Sequence, residues 1–204
     1  LYCWCFVSCG VVHQTALVFF LSLAPHITII LISAFKHTYV YPATQRDYSN
    51  GDCISEVDID HRVCKHRASV ASMIEPSFPT IAGMGGNGAI IHYSAVSETC
   101  RSTSLAEHAE GVMVLLDSGG QYADGTTDVT RTFHTGSPSA HQKNMWTRVL
   151  KGNIALDSGP FPTGTQGCLL DARARQFLWE VGKDYIHGTF TCRVEVLETT
   201  VLNT

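Results

Sequence analysis

The chain has 204 residues, enough for one or two domains, and its formal net charge of −4 leaves no basic footprint for nucleic acid. With 45% hydrophobic and 16% charged residues, the composition is that of an ordinary globular protein. Eight cysteines, none in a C-x-x-C pair, sit in a chain long enough to build a core without crosslinks, so they read as mostly free thiols of a reducing, cytoplasmic compartment.

In chain order, there is no initiator Met, and residues 15–35 (TALVFFLSLAPHITIILISAF) are almost wholly apolar. That length could cross a bilayer, but Pro25 at its centre would break a spanning helix. The basic leader of a signal peptide is missing as well. The stretch is open to three readings: a membrane anchor, a buried strand-rich segment, or sequence foreign to the rest of the chain. A membrane partner is not expected. Residues 36–72 turn polar, with Pro42 and Asn50-Gly51, and read as linker or loosely packed chain. Cys53, His61, Cys64 and His66 fit no standard zinc spacing.

Residues 83–88 (GMGGNG) satisfy G-x-G-x-x-G, yet a dinucleotide site needs those glycines to open a helix. The next residues, Ala89-Ile90-Ile91-His92-Tyr93, are short and β-branched and predict a strand ending at His92. The glycines are therefore read as a tight loop between two strands, the first including Phe78–Ala82. Residues 105–111 (LAEHAEG) are charged and predict a surface turn or helix.

Residues 112–134 (VMVLLDSGGQYADGTTDVTRTFH) are the centre of the sequence. An apolar run stops at Asp117, a Gly- and Asp-rich turn comes next, and a β-branched alternating segment completes a hairpin. Two registers are open. A two-residue turn at Asp124-Gly125 puts Asp128 opposite Gln121, about 13 Å along the strand from Asp117. A longer loop centred on Tyr122-Ala123 sets Asp117 opposite Asp128, with β-carbons about 4.5–5.5 Å apart. Two carboxylates so close repel one another unless a cation lies between them.

After the hairpin, Ser139 with Gln142 matches a capping box. Trp146, Val149, Leu150 and Ile154 then fall at helical spacing and predict one buried face. Prolines and glycines interrupt residues 157–164. A second amphipathic helix comes after them with Leu169, Leu170, Ala174, Phe177, Leu178 and Val181 on its apolar side, and Gly182 is placed to cap it. Trp146 and Trp179 are both assigned to the core.

Five stretches together, 87–93 (NGAIIHY), 117–132 (DSGGQYADGTTDVTRT), 149–156 (VLKGNIAL), 161–170 (FPTGTQGCLL) and 184–189 (DYIHGT), resemble aminopeptidase P, the Xaa-Pro aminopeptidase of the pita-bread metallopeptidases. The likeness runs from Glu75 to Thr189, with only a faint echo at residues 54–61. It implies an α+β fold, the first half of a pita-bread fold, in which helices cover an antiparallel sheet. Residues 1–74 and 190–204 lie outside it. It also implies that Asp117 and Asp128 are metal ligands, commonly for two Mn²⁺ ions, and that the substrates are peptides with proline in second position. His92 would hydrogen-bond the substrate and the charge that develops during attack, and His187 would lie near the substrate. A homo-oligomer is possible for an intact family member.

The sequence departs from the pattern after His187. The family's second histidine falls four residues on, where this chain has Thr191, and its two later glutamates have no counterpart. The expectation is a catalytically incomplete chain. The alternative is an inactive paralogue that binds peptides or a partner, tethered to a membrane if residues 15–35 anchor it.

Overall fold

The computed structural model describes residues 53–98, 100–102, 110–123, 125–162 and 165–186. The apolar stretch 15–35 and His187 lie outside the described residues, and among the described residues no helix is long and apolar enough to cross a membrane. The chain divides into two compact units, one ending at Ala140 and the other beginning at His141.

The first unit opens with a helix where irregular chain was expected. Helix α1, Glu56–Ala68, begins at a capping box: Asp58 N donates to Ser55 Oγ at 3.1 Å, and Ser55 N donates to Asp58 Oδ2 at 2.9 Å. Acids occupy its first turn and Lys65, His66 and Arg67 its last, each suited to the helix dipole. Its buried residues are Glu56, Ile59, Val63 and Arg67, spaced three, four and four apart on one face. The stripe is apolar in the middle and charged at both ends, which hides it from a reading by hydrophobic period.

Four antiparallel strands come next: β1 (Met73–Pro76), β2 (Ile81–Met84), β3 (Met113–Tyr122) and β4 (Gly125–His134). β4 pairs along the whole of β3, while β2 takes Val114–Asp117 and β1 takes Gly120–Tyr122 on the other edge. β3 alternates: Val114, Leu116 and Ser118 are buried on one face, and Met113, Leu115 and Asp117 are half-buried on the other. Val112, Val114, Leu116, Ala82, Met84 and Phe133 form one core with Ile54, Ile59 and Val63. Burying such aliphatic side chains stabilises by roughly 1.5–3 kcal/mol each.

Between β2 and β3 the expected strand is absent. Gly85–Ala89 is a 3₁₀ helix, and Ile90 to His92 continue it as turns. The β-branched pair Ile90-Ile91 suggested a strand, but both side chains are exposed, and among the described residues no strand pairs with them.

The second unit contains α2 (Ala140–Ser158) and α3 (Gly167–Trp179), as the sequence predicts. They touch at Gly152, the one buried residue of α2, where an added Cβ would strike the Ala174 carbonyl. Arg148 Nη1 donates to the Phe177 carbonyl at 2.6 Å and pairs with Glu180 at 2.8 Å. Gly182, with φ +64°, closes α3 in a Schellman motif: Gly182 N donates to Trp179 O and Lys183 N to Leu178 O. Leu170, Ala174 and Leu178 are buried as expected, but Ile154, Leu169 and Val181 are exposed. Trp179 is half-exposed rather than core, and its indole donates to Asp184 Oδ2 at 3.0 Å.

Candidate metal and substrate site

The hairpin takes neither of the two registers weighed from the sequence. Tyr122 faces Gly125, a register offset from that of a two-residue turn at the Asp-Gly pair. Asp117 then faces Thr130, and Asp128 faces Gly119. The two acids share one face of the sheet as diagonal neighbours, β-carbons about 7–8 Å apart or somewhat less. Two flexible carboxyls can approach across that span, and a hydrogen bond from one to the other is among the causes that raise Asp128. Such a bond needs a proton on one of them.

Asp128 keeps an exposed edge, yet its pKa is pushed up to about 6. Burial of the carboxyl is the largest cause, and the charge and hydrogen bond of Asp117 add to it. Opposing them is Arg67, whose nearby charge lowers the value but does not win. Arg67 is 1% exposed and comes up from α1 on the opposite face, where Nη2 donates to the Ser118 carbonyl at 2.8 Å and Nη1 to Thr127 Oγ1 at 3.2 Å. It fastens both strands of the hairpin directly behind the acid pair.

Gly119 makes the hairpin possible. A Cβ there would collide with the Thr127 carbonyl, Ser77 Oγ and the Phe78 ring. Ser77 itself donates to the Thr127 carbonyl at 3.0 Å, so β1, β3 and β4 are drawn together where Asp128 stands.

His92 lies in the connection after the 3₁₀ turn, exposed, with φ +54°. Among the described residues it is the one non-glycine with positive φ, a conformation that histidine tolerates better than most residues but that still strains the chain. The turn that leads to it lies on the face of the acid pair. A Cβ at Gly88 would come within 3.3 Å of Leu115 Cβ, and Leu115 shares its face of β3 with Asp117.

Holding this turn is a residue the sequence reading passed over. Glu56, buried in α1, accepts from Met84 N at 2.5 Å, Asn87 Nδ2 at 3.1 Å, Tyr93 OH at 2.7 Å and Arg101 N at 2.9 Å. The available signal was the Ser55-x-x-Asp58 cap, which would have started a helix and put Glu56 at its first position.

Among the described residues no group of three or more His, Cys, Asp or Glu side chains could hold a metal ion together. Asp117 and Asp128 are therefore a two-ligand set. Their donors suit a hard divalent cation, because the chemistry is all oxygen and a cation would relieve the crowding that raises Asp128.

Residues 30–192 match the profile of metallopeptidase family M24. Aminopeptidase P2 of Arabidopsis thaliana is 48% identical over 136 residues, 67% of this chain and 18% of the relative. Aminopeptidase P1 of Lotus japonicus is 51% identical over the same length, 67% of this chain and 20% of its own. The chain thus spans about a fifth of the length of these curated relatives. Among solved structures, the X-prolyl aminopeptidase of Caenorhabditis elegans, a cytosolic enzyme with a di-nuclear active site, superposes with a TM-score of 0.71 at 30% identity, over 80% of this chain and 27% of that one. The X-Pro aminopeptidase of Thermotoga maritima shares the fold with a TM-score of 0.60 at 23% identity, over 77% and 41%. The α+β arrangement of an antiparallel sheet with helices is part of the pita-bread fold of these enzymes.

Proposed function

This chain belongs to metallopeptidase family M24, and on that premise we propose that it serves a metal-dependent aminopeptidase that removes the N-terminal residue from peptides with proline in second position. One observation carries the reading: Asp117 and Asp128, apart in sequence, are diagonal neighbours on one sheet face, and the crowding raises the pKa of Asp128. Acids crowded in this way are poised for a cation. Both would serve as oxygen ligands to a hard divalent metal, manganese by the resemblance to aminopeptidase P. When bound, the metal supplies Lewis acidity and a water activated near neutral pH.

The remaining steps fall to side chains. His92, exposed beyond the 3₁₀ turn, would by the resemblance hydrogen-bond the scissile carbonyl and the negative charge that grows on its oxygen during attack. By the resemblance, His187, outside the described residues, would also lie near the substrate. Arg67 keeps both strands fixed, so that the two ligands stay within reach of one ion. The cytosolic enzyme of Caenorhabditis elegans supports a cytoplasmic location, and the reading needs no nucleic acid or membrane partner.

The test is release of the N-terminal residue from an Xaa-Pro-containing peptide by the purified chain, with and without added Mn²⁺ and EDTA. Weak, metal-dependent release that is lost in Asp117→Asn is the expected result, in keeping with the two-ligand set of the described residues. With two ligands from the described residues, metal affinity should be weak, and titration calorimetry with Mn²⁺, Mg²⁺ and Zn²⁺ would rank the ions. Peptide binding without any cleavage at saturating metal would make this chain a binding module instead.

A further inference from the structure

We propose that Glu56 is the positioning residue for His92: its carboxyl group, buried at the first turn of α1, fixes the strained turn that presents the imidazole. The proposal rests on the reading that His92 works at the substrate. Its evidence is the hydrogen-bond pattern. Glu56 Oε1 accepts from Met84 N, where β2 ends and the turn begins. Asn87 Nδ2 donates to both carboxyl oxygens at 3.1 Å and to Tyr93 OH at 3.0 Å. Tyr93 OH in turn donates to Oε2. The segment is thus clamped at Met84 and Asn87 before the histidine and at Tyr93 immediately after it.

Between those clamps the backbone has little freedom. Ile90 N donates to Asn87 O at 3.1 Å, and Tyr93 N donates to Ile90 O at 3.2 Å. His92 is left to absorb the reversal, with φ +54°. A left-handed histidine persists only where its surroundings over-determine it. Here the surroundings are one side chain with two saturated oxygens. The same group reaches the chain beyond: Arg101 N donates to Oε2 and Glu56 N donates to Arg101 O at 3.0 Å, so the exit of the connection is tied to the same point. Glu56 touches no reacting atom in this arrangement, and its effect passes through the turn.

The decisive experiment compares the 204-residue parent with Tyr93→Phe and Glu56→Gln by amide hydrogen exchange and by the ¹H–¹⁵N signals of the His92 imidazole. Tyr93→Phe removes two hydrogen bonds at the clamp and leaves the core intact. It is expected to speed exchange at Ile90 and Tyr93 by about tenfold or more, the effect of losing one charge-assisted bond, while amides of residues 114–133 keep their protection. The His92 signals should shift and broaden together with that change. Glu56→Gln should do the same more strongly, since an amide nitrogen would then face N–H donors. If Glu56→Gln fails to fold, Tyr93→Phe decides alone. Unchanged exchange and unchanged imidazole signals in Tyr93→Phe would overturn the proposal. So would a loss of protection spread evenly over turn and hairpin, the mark of a residue that only adds bulk stability. Neither readout needs turnover. Xaa-Pro cleavage by His92→Ala tests the underlying reading separately, so the two fail independently.

Discussion

Glu56 and Asp128 are two acids attached to the same small sheet, and the fold treats them in opposite ways. Glu56 is fully buried and surrounded by donors from the backbone, an asparagine and a tyrosine. Asp128 is open at one edge, and it shares its hydrogen bond with another carboxyl. The first acid has its lone pairs satisfied by the protein itself, so it can only hold structure. The second carries unspent charge, which the protein tolerates by raising its pKa to about 6. Burial alone does not identify a working acid. The difference lies in what the acid faces.

The widest test of that contrast is to remove the acid from each place. Glu56→Ala leaves Met84 N, Asn87 Nδ2, Tyr93 OH and Arg101 N without their acceptor, and it should destabilise the fold by about 4 kcal/mol, read as a shift of the denaturant midpoint. A loss below about 1 kcal/mol would mean that water replaces the carboxyl easily and that the turn is not clamped.

The second test strikes the frame around Asp128 rather than the acid. Gly119→Ala drives a methyl group into the Thr127 carbonyl, and a backbone carbonyl cannot swing aside as a side-chain tip can. We expect a cost of about 3 kcal/mol and, because Asp128 faces position 119, a loss of the acid pairing with it. Metal binding measured by calorimetry should therefore fall along with stability. Full Mn²⁺ binding in a destabilised Gly119→Ala protein would separate the ligand pair from the register that is taken to create it.

Much of the fold is legible in the sequence, and the misses have physical causes. The β-branched run Thr126–Phe133 and the apolar run before Asp117 announce the hairpin, and the meeting of the two acids comes from resemblance. The register does not come with it, because Tyr122 pairs with Gly125 rather than leaving the favoured Asp-Gly pair to turn. Pairing with β1 and β2 on the far edge of β3, with Gly119 at the close approach, outweighs a turn preference of that size. Helix α1 escapes a sequence reading because its buried stripe starts at a glutamate and ends at an arginine, and a period count looks only for apolar residues. Those two charged ends organise the His92 turn and the acid hairpin. A positive φ at His92 leaves no trace in the sequence at all.

The smallest effect is also the one with the sharpest sign. The Asp128 carboxyl is raised from its ordinary 3.8 to about 6 in the folded chain, so between those values the native state binds more protons than the unfolded one. Its contribution to stability is then most favourable below about pH 4 and declines as pH rises through about 6. Asp58 has the opposite slope, since hydrogen bonds from Ser55 hold it below its usual range, and its stabilisation is lost on acidification. The parent curve mixes the two, but the difference between parent and Asp128→Asn cancels Asp58 and the other groups that do not interact with Asp128 and leaves the acid pair. In metal-free protein that difference should be near zero at about pH 4 and favour Asp128→Asn slightly at about pH 7, measured by urea unfolding in EDTA. Adding Mn²⁺ should reverse it, because the parent then gains from a ligand that the amide replaces poorly. A metal-free parent more stable than Asp128→Asn at about pH 7 would mean that donors satisfy this carboxyl as they do Glu56, and the contrast between the two acids would be gone.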